Sequence, residues 1–201
     1  MRTMRGPNRL EKIHGKQMSQ MPLQDTIQRS ANGQKNNKSK IIVIMLLTTS
    51  RKPSQRTRSF CQKLKRAIGC PYINRGKMNI QEILQKTIEH KESTVAIVSE
   101  KRGNPSKITF YNINGEQIGY MTINVAIPKK LETEPTMNIK GAIENIKPLK
   151  KLIPFKENGG EHSWIVKPAK NKYTAILELY HEKKPSGLKI FIKKIHLEDE
   201  N

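Results

Sequence analysis

The residues best suited to chemistry stand between positions 48 and 60, Thr-Thr-Ser-Arg-Lys-Pro-Ser-Gln-Arg-Thr-Arg-Ser-Phe. Hydroxyls are interleaved there with four cations, Arg51, Lys52, Arg56 and Arg58. Hydroxyls donate hydrogen bonds to phosphate oxygens, and guanidinium groups bind phosphate bidentately. A helix that starts in such a stretch adds free backbone N–H groups and a positive dipole end. The composition therefore points to a polyanion-binding turn, with Ser54 both capping the helix and lying among the ligands. Residues 51–66 hold seven Lys or Arg and no Asp or Glu. An ordinary solvated helix face, the competing reading, mixes both signs of charge; a patch of one sign is the footprint of phosphate recognition.

Two elements must position this turn. The apolar run Ile41 to Leu47 reads, with Thr48, as a strand covered on both faces. Pro53 disfavours helix at Lys52, which keeps the chain extended to that point. From Ser54 onward Phe60, Leu64, Ala67 and Ile68 recur at helical spacing, and Gly69 supplies the stop. On that helix, 54–68, Arg58, Lys65 and Arg66 fall away from the apolar face, while Arg56 flanks it. Asn74-Arg-Gly-Lys77 forms a turn that adds Arg75 and Lys77, and Lys101-Arg-Gly-Asn-Pro105 forms another that adds Lys101 and Arg102.

Net charge is +21 over 201 residues, far more than solubility needs, and implies a nucleic acid or another anionic partner. The charge is uneven: +7 over 1–40, +11 over 41–130 and +3 over 131–201. Residues 1–40, polar and without an apolar period, are expected to be a disordered basic extension: an arm with nonspecific RNA affinity, a dispensable addition, or a mis-called start, with Met45 as the alternative first residue. The apolar run is far short of a membrane span. Neither the two cysteines nor the five scattered histidines have zinc-site spacing. Cys61 borders the apolar helix face, where a buried thiol is expected. No phosphate-cradling glycine motif implies a cofactor.

The remaining pattern predicts a second helix over 79–90, with Ile80, Ile83, Leu84, Thr87 and Ile88 on its apolar face. Strands follow at 94–99, 107–113 and 117–127, with Asn114-Gly115 as a type I′ hairpin turn between the last two. Pro128 to Pro135 reads as a linker. Apolar residues at 139, 142, 143, 146, 149 and 152 suggest a helix that Pro148 ends or kinks. Strands at 164–166, 174–180 and 188–197 then turn around 168–172 and 183–187. Trp164 reads as core or lid, with base stacking as the sharper alternative. The fold class is α/β (α+β), in two small halves, 41–128 and 129–201, each a mixed, mostly antiparallel sheet with packed helices.

Thr48 to Phe60, with Tyr72-Ile-Asn-Arg-Gly-Lys77 behind it, closely resembles the Brix-domain family, and more narrowly its short archaeal members. Arg102-Gly-Asn-Pro105 and Ser186-Gly-Leu-Lys-Ile-Phe-Ile192 are similar to that family as well. The resemblance covers roughly 45–197 and is most specific at 48–60. The chain departs from it in its 40-residue N-terminal extension, and at Ser186-Gly-Leu-Lys, where larger relatives often carry Gly-Pro-Arg. The resemblance implies two similar halves, each like the anticodon-binding domain of some aminoacyl-tRNA synthetases. It implies a noncatalytic factor of ribosome biogenesis that binds ribosomal RNA or its precursor, with ribosomal or assembly proteins as further partners. A cytoplasmic protein with no cofactor, metal, membrane or small-molecule substrate is the matching expectation.

The expected RNA-binding set is Arg51, Lys52, Ser54, Arg56, Arg58, Arg66, Arg75, Lys77, Lys101 and Arg102. The alternatives are an RNA-modifying protein and a DNA-binding protein. Between 41 and 130 the acids are Glu82, Glu89, Glu92, Glu100 and Glu116, with no Asp, which disfavours two-metal hydrolysis. Aromatic residues make up only 5%, so shape and backbone recognition of structured RNA fits better than a stacking platform.

Overall fold

The computed structural model describes residues 45–157 and 160–198. The extension expected over 1–40 and the first four residues of the apolar run, 41–44, lie outside the described residues. In chain order the elements are β1 (Met45–Thr49), α1 (Gln55–Ile68), α2 (Ile80–Glu89), β2 (Thr94–Lys101), β3 (Asn104–Asn112) and β4 (Gln117–Ala126). Then come β5 (Ile139–Gly141), a 3-10 turn (Ile143–Ile146), α3 (Leu149–Leu152), β6 (Ser163–Pro168), β7 (Ala175–His181) and β8 (Lys184–Leu197).

The eight strands among the described residues form one sheet in the order β1-β2-β3-β4-β8-β7-β6-β5. The same plan appears twice. β1 runs parallel to β2, and β2, β3 and β4 then pair antiparallel. β5 runs parallel to β6, and β6, β7 and β8 then pair antiparallel. The two similar halves meet where β4 pairs antiparallel with β8, from Gly119 opposite Leu197 to Ala126 opposite Lys189. The mixed α/β class expected from the pattern is the class observed.

Local chemistry explains the helices. The Ser54 hydroxyl accepts from Thr57 N at 3.2 Å and caps α1, while Gly69, at φ +82°, ends it with its N–H on Lys65 O. Phe60, Cys61, Leu64, Ala67 and Ile68 of α1 pack on the inner face of the sheet against Leu47, Ala96, Val98, Ile108 and Phe110. Asn79 and Glu82 form a capping box that starts α2. Ile83 and Leu84 of α2 pack on the outer face, against Leu46, Val95 and Ile97. β1 and β2 are thus covered on both sides, which is why they read as unbroken apolar runs.

In the second half Ile146, Leu149, Leu152 and Ile153 join the inner layer with Trp164, which is 1% exposed and donates its indole N–H to Thr136 O at 3.2 Å. Trp164 is core, and its side chain is not available for base stacking. The segment expected to be a linker runs along α1: Leu131 is buried, and Thr136 N donates to Ala67 O at 2.8 Å.

Several expectations are corrected. The helix expected from 139 to 152 is instead a short strand, a 3-10 turn and one turn of helix. Gly141 stands at φ +100°, where an added Cβ would lie 2.3 Å from Val166 O, and Pro148 breaks the remainder. Asn114-Gly115 does not make a type I′ turn. Gly115 alone has positive φ (+89°), and the Asn112 carboxamide accepts from the N–H groups of Asn114 and Glu116, holding a four-residue loop. Two-residue turns with both residues at positive φ occur at Arg102-Gly103 and at Glu182-Lys183, the latter ahead of the turn expected over 183–187. Lys52 stands at positive φ (+51°) rather than extended, so the following proline's preference for extended backbone is overridden in this turn. Ile88 is 57% exposed and not part of the α2 core face.

Candidate nucleic-acid interface

The site is assembled from three segments far apart in sequence. The β1–α1 turn carries Arg51 and Lys52, the α1–α2 loop carries Arg75 and Lys77, and the β2–β3 turn carries Lys101 and Arg102. Backbone pairing brings them together. Ile73 N donates to Leu47 O and the Thr48 hydroxyl to Ile73 O, which lays the α1–α2 loop beside the end of β1. Ser50 N donates to Val98 O, and Gly103 O lies 2.9 Å from the Ser54 hydroxyl, which sets the β2–β3 turn against the start of α1.

Glu100 occupies the centre. Its Oε2 accepts from Thr57 Oγ1 at 2.6 Å, from Ser54 Oγ at 2.7 Å and from Ser54 N at 2.8 Å. The hydrogen bond from Thr57, then those from Ser54, hold this carboxyl below its usual range, and Arg58 adds to the effect. Residues 51–66 lack an acid of their own, yet the fold inserts one from 46 residues away. Ser54 is therefore engaged by an internal anion at the helix start, and the approach left to an outside phosphate is through the surrounding side-chain cations.

Arg51, Lys52, Lys77, Lys101 and Arg102 are exposed. None of the five forms an ion pair among the described residues. Lys52 and Arg102 both stand at positive φ, +51° and +52°, where glycine or asparagine would be the relaxed choice. Arg75 is half-buried and donates Nε–H to Met78 O at 3.1 Å; burial, and then the neighbouring Arg51, lower its affinity for its proton. It braces the loop as well as adding charge. Arg58 is exposed along α1. Arg56 reaches across to Val125 O at 3.5 Å, at the end of β4. Arg66 stands apart, about 18 Å along the helix from Ser54 at 1.5 Å per residue. Its Nη1 donates to Leu131 O at 3.1 Å and ties down the connection between the halves.

A groove of about 520 Å³ adjoins this cluster, lined by Lys101, Arg102, Asn104, Pro105, Ser106, Asn124, Val125 and Lys193. Lys193 belongs to β8, and sequence reasoning passed over it. Its signal lies in register: Thr122 pairs with Lys194 and Ile123 with Ile192, so Lys193 is the extra residue of a bulge.

The chain is 38% identical over 154 residues to the probable Brix domain-containing ribosomal biogenesis protein of Methanothermobacter thermautotrophicus, covering 74% of this chain and 96% of that one. The chain belongs to the Brix family. No protein-family model matches it. Among solved structures this Brix protein is similar to Mil, an archaeal Imp4-like protein, with TM-score 0.69 and 37% identity, over 77% of this chain and all of that one. It shares its fold with a probable ribosomal biogenesis protein from Aeropyrum pernix at TM-score 0.62 and 20% identity, over 75% of this chain and 95% of that one. Both comparisons cover nearly all of the other chain, so the likeness is one of the whole fold.

Proposed function

We propose that this Brix protein is a noncatalytic factor of ribosome biogenesis that binds folded ribosomal RNA or its precursor in the cytoplasm. Ribosomal or assembly proteins are its further partners. The observation that carries the reading is the convergence of Arg51, Lys52, Lys77, Lys101 and Arg102, exposed and free of ion pairs among the described residues, around a carboxylate that is already satisfied. Arg56, Arg58 and Arg75 extend the same surface. Four of the five acids between 41 and 130 have structural work: Glu100 caps α1, Glu82 caps α2, Glu89 pairs with Lys86 and Glu116 holds the Asn112 carboxamide. The fifth, Glu92, has a buried oxygen without a partner and a pKa raised by burial, and it belongs to no cluster of acids or histidines among the described residues. That supports a binding role over acid–base chemistry.

The test is an RNA titration of the wild-type chain and of Arg51→Ala with Arg58→Ala, at several salt concentrations, beside thermal melts. Each lost phosphate contact lowers the slope of log affinity against log salt by about 0.7–0.9, and it does so for all RNA sequences alike. Stability changes by no more than about 0.5 kcal/mol. Unchanged affinity and slope in a folded double variant would refute the proposal, as would equal or tighter binding to duplex DNA.

A further inference from the structure

The outer face of the sheet carries helix only over its first strands. α2 packs on β1 and β2 and reaches Tyr111, whereas α1, the 3-10 turn and α3 all lie on the inner side. From β4 through β6 the outer face therefore has no helix among the described residues. Strand alternation sends Tyr120, Thr122 and Asn124 of β4 to this face, opposite the buried Met121 and Ile123. Their register partners on β8 are His196, Lys194 and Phe191.

The side chains form two aromatic stations. Tyr120 packs against His196 with ring centroids 5.0 Å apart and planes tilted by 41°, and Lys107 Nζ lies over the Tyr120 ring, 4.0 Å from its centroid. Tyr173 packs against Phe191 at 5.4 Å with planes tilted by 45°, and its hydroxyl accepts from the Asn124 carboxamide N–H at 2.7 Å. Four residues of β4 separate the stations, about 14 Å at 3.4 Å per residue. At the 3.4 Å rise of a stacked strand that is room for about four bases. Around them stand Lys107, Lys193 and Lys194, none of them in an ion pair among the described residues. Of the acids on this side among the described residues, the buried Glu178 is neutralised by Lys167 at 2.5 Å and Lys189 at 2.9 Å, and Glu198, at the rim of the first station, lies 3.6 Å from His196 Nε2. Asn124 and Lys193 also line the groove that leads to Lys101 and Arg102, so this face joins the basic turns.

We propose that the helix-free face binds a single-stranded RNA segment. Bases stack at Tyr120–His196 and at Phe191–Tyr173, and the lysines hold the phosphates. Charge complementarity and paired aromatics on an open sheet are the features that such sites use. An aromatic content of 5% suffices because the fold gathers these rings on one face. The inference rests on the RNA-binding reading above and adds which RNA state is bound, and where.

The experiment titrates the full chain with a labelled 12-nucleotide single-stranded RNA and, separately, with a 12-base-pair RNA duplex. The variants are Tyr120→Leu, Phe191→Leu and their combination, each checked for folding by circular dichroism. Leucine keeps apolar bulk and removes the ring face. Each substitution lowers single-strand affinity roughly five- to 150-fold per stacked base, while duplex affinity stays within about twofold. Arg51→Ala with Arg58→Ala weakens both RNAs. Unchanged single-strand affinity in the folded leucine variants overturns the proposal, as does a wild-type chain that binds duplex but not single strand; the RNA-binding reading survives both results. A wild-type chain that binds neither RNA overturns that reading as well. If the leucine variants unfold, photocrosslinking of the wild type to 5-iodouracil RNA decides. Crosslinks at Tyr120, His196, Tyr173 or Phe191 support the proposal, and crosslinks confined to α1 and the basic turns overturn it.

Discussion

The two halves share a strand plan and differ in what covers it. In the first, the fourteen-residue α1 covers the inner face and the ten-residue α2 the outer. In the second, a four-residue 3-10 turn and a four-residue α3 line the inner face, and no helix matches α2 among the described residues. Each half also carries, on a strand of the sheet, a carboxylate with a depressed proton affinity, Glu100 on β2 and Glu178 on β7, by different means. Glu100 is held by hydroxyls and a backbone N–H at a helix start. Burial would raise the Glu178 pKa, but hydrogen bonds from Lys167 and Lys189 outweigh it and leave it below the ordinary 4.5. The shared inner layer is thus the part that folding requires, and the face left open in the second half is where the halves are free to differ.

If the inner layer is one core, damage to either half destabilises both. Phe60 in the first half and Trp164 in the second are each fully buried. Phe60→Ala and Trp164→Ala should each cost about 3–5 kcal/mol. Calorimetry should show a single transition shifted down in both variants; two transitions, only one of them moving, would divide the core in two.

The carboxylates sharpen the comparison through pH. A group whose folded pKa lies below its unfolded value stabilises fully above the unfolded value and loses that contribution as pH falls through the folded one. Glu178→Gln should therefore cost about 1.5 kcal/mol at pH 7, the low end for bonds to a charged group because both lysines are partly solvated. Urea unfolding of wild type and variant should converge as pH drops below about 4.5. A difference that persists undiminished at pH 2 would mean that packing, rather than charge, holds Glu178 in place.

The smallest effect has opposite signs in two assays. Lys52 occupies left-handed backbone at φ +51°. Lys52→Gly should raise stability by up to about 1 kcal/mol and yet weaken RNA binding, lowering the salt slope by about 0.7–0.9. A substitution that helps neither or harms both, by melts and titration, would remove Lys52 from the interface.

Legibility followed locality. α1 was readable from Ser54, its apolar period and Gly69, because cap, face and stop all act within a few residues. The β2–β4 and β6–β8 strands were readable from β-branched runs and alternation. The segment 139–152 misled because its apolar spacing suits a helix, while Gly141 meets Val166 across the sheet, a clash with no local trace. The cations of the site were readable by type. Glu100 beneath them was not, nor the detachment of Arg66, because both depend on contacts 46 and 65 residues away. The outer-face rings were hidden for the same reason, since Tyr120 and His196 meet only once β4 and β8 pair.

That pairing has a consequence for synthesis. β8 is made after the other seven strands and yet sits fourth from one edge, between β4 and β7. Until it emerges from the ribosome, β4 and β7 are both unsealed edges, each offering a row of unpaired N–H and C=O groups to any passing strand. Gly119 must wait for Leu197, 78 positions later, so the seam closes late and against a large loop entropy. The nascent chain therefore passes through a stage in which the first half is paired within itself and its central edge is open. Removing β8 from the finished chain would restore that stage, and with it a protein prone to join copies of itself edge to edge.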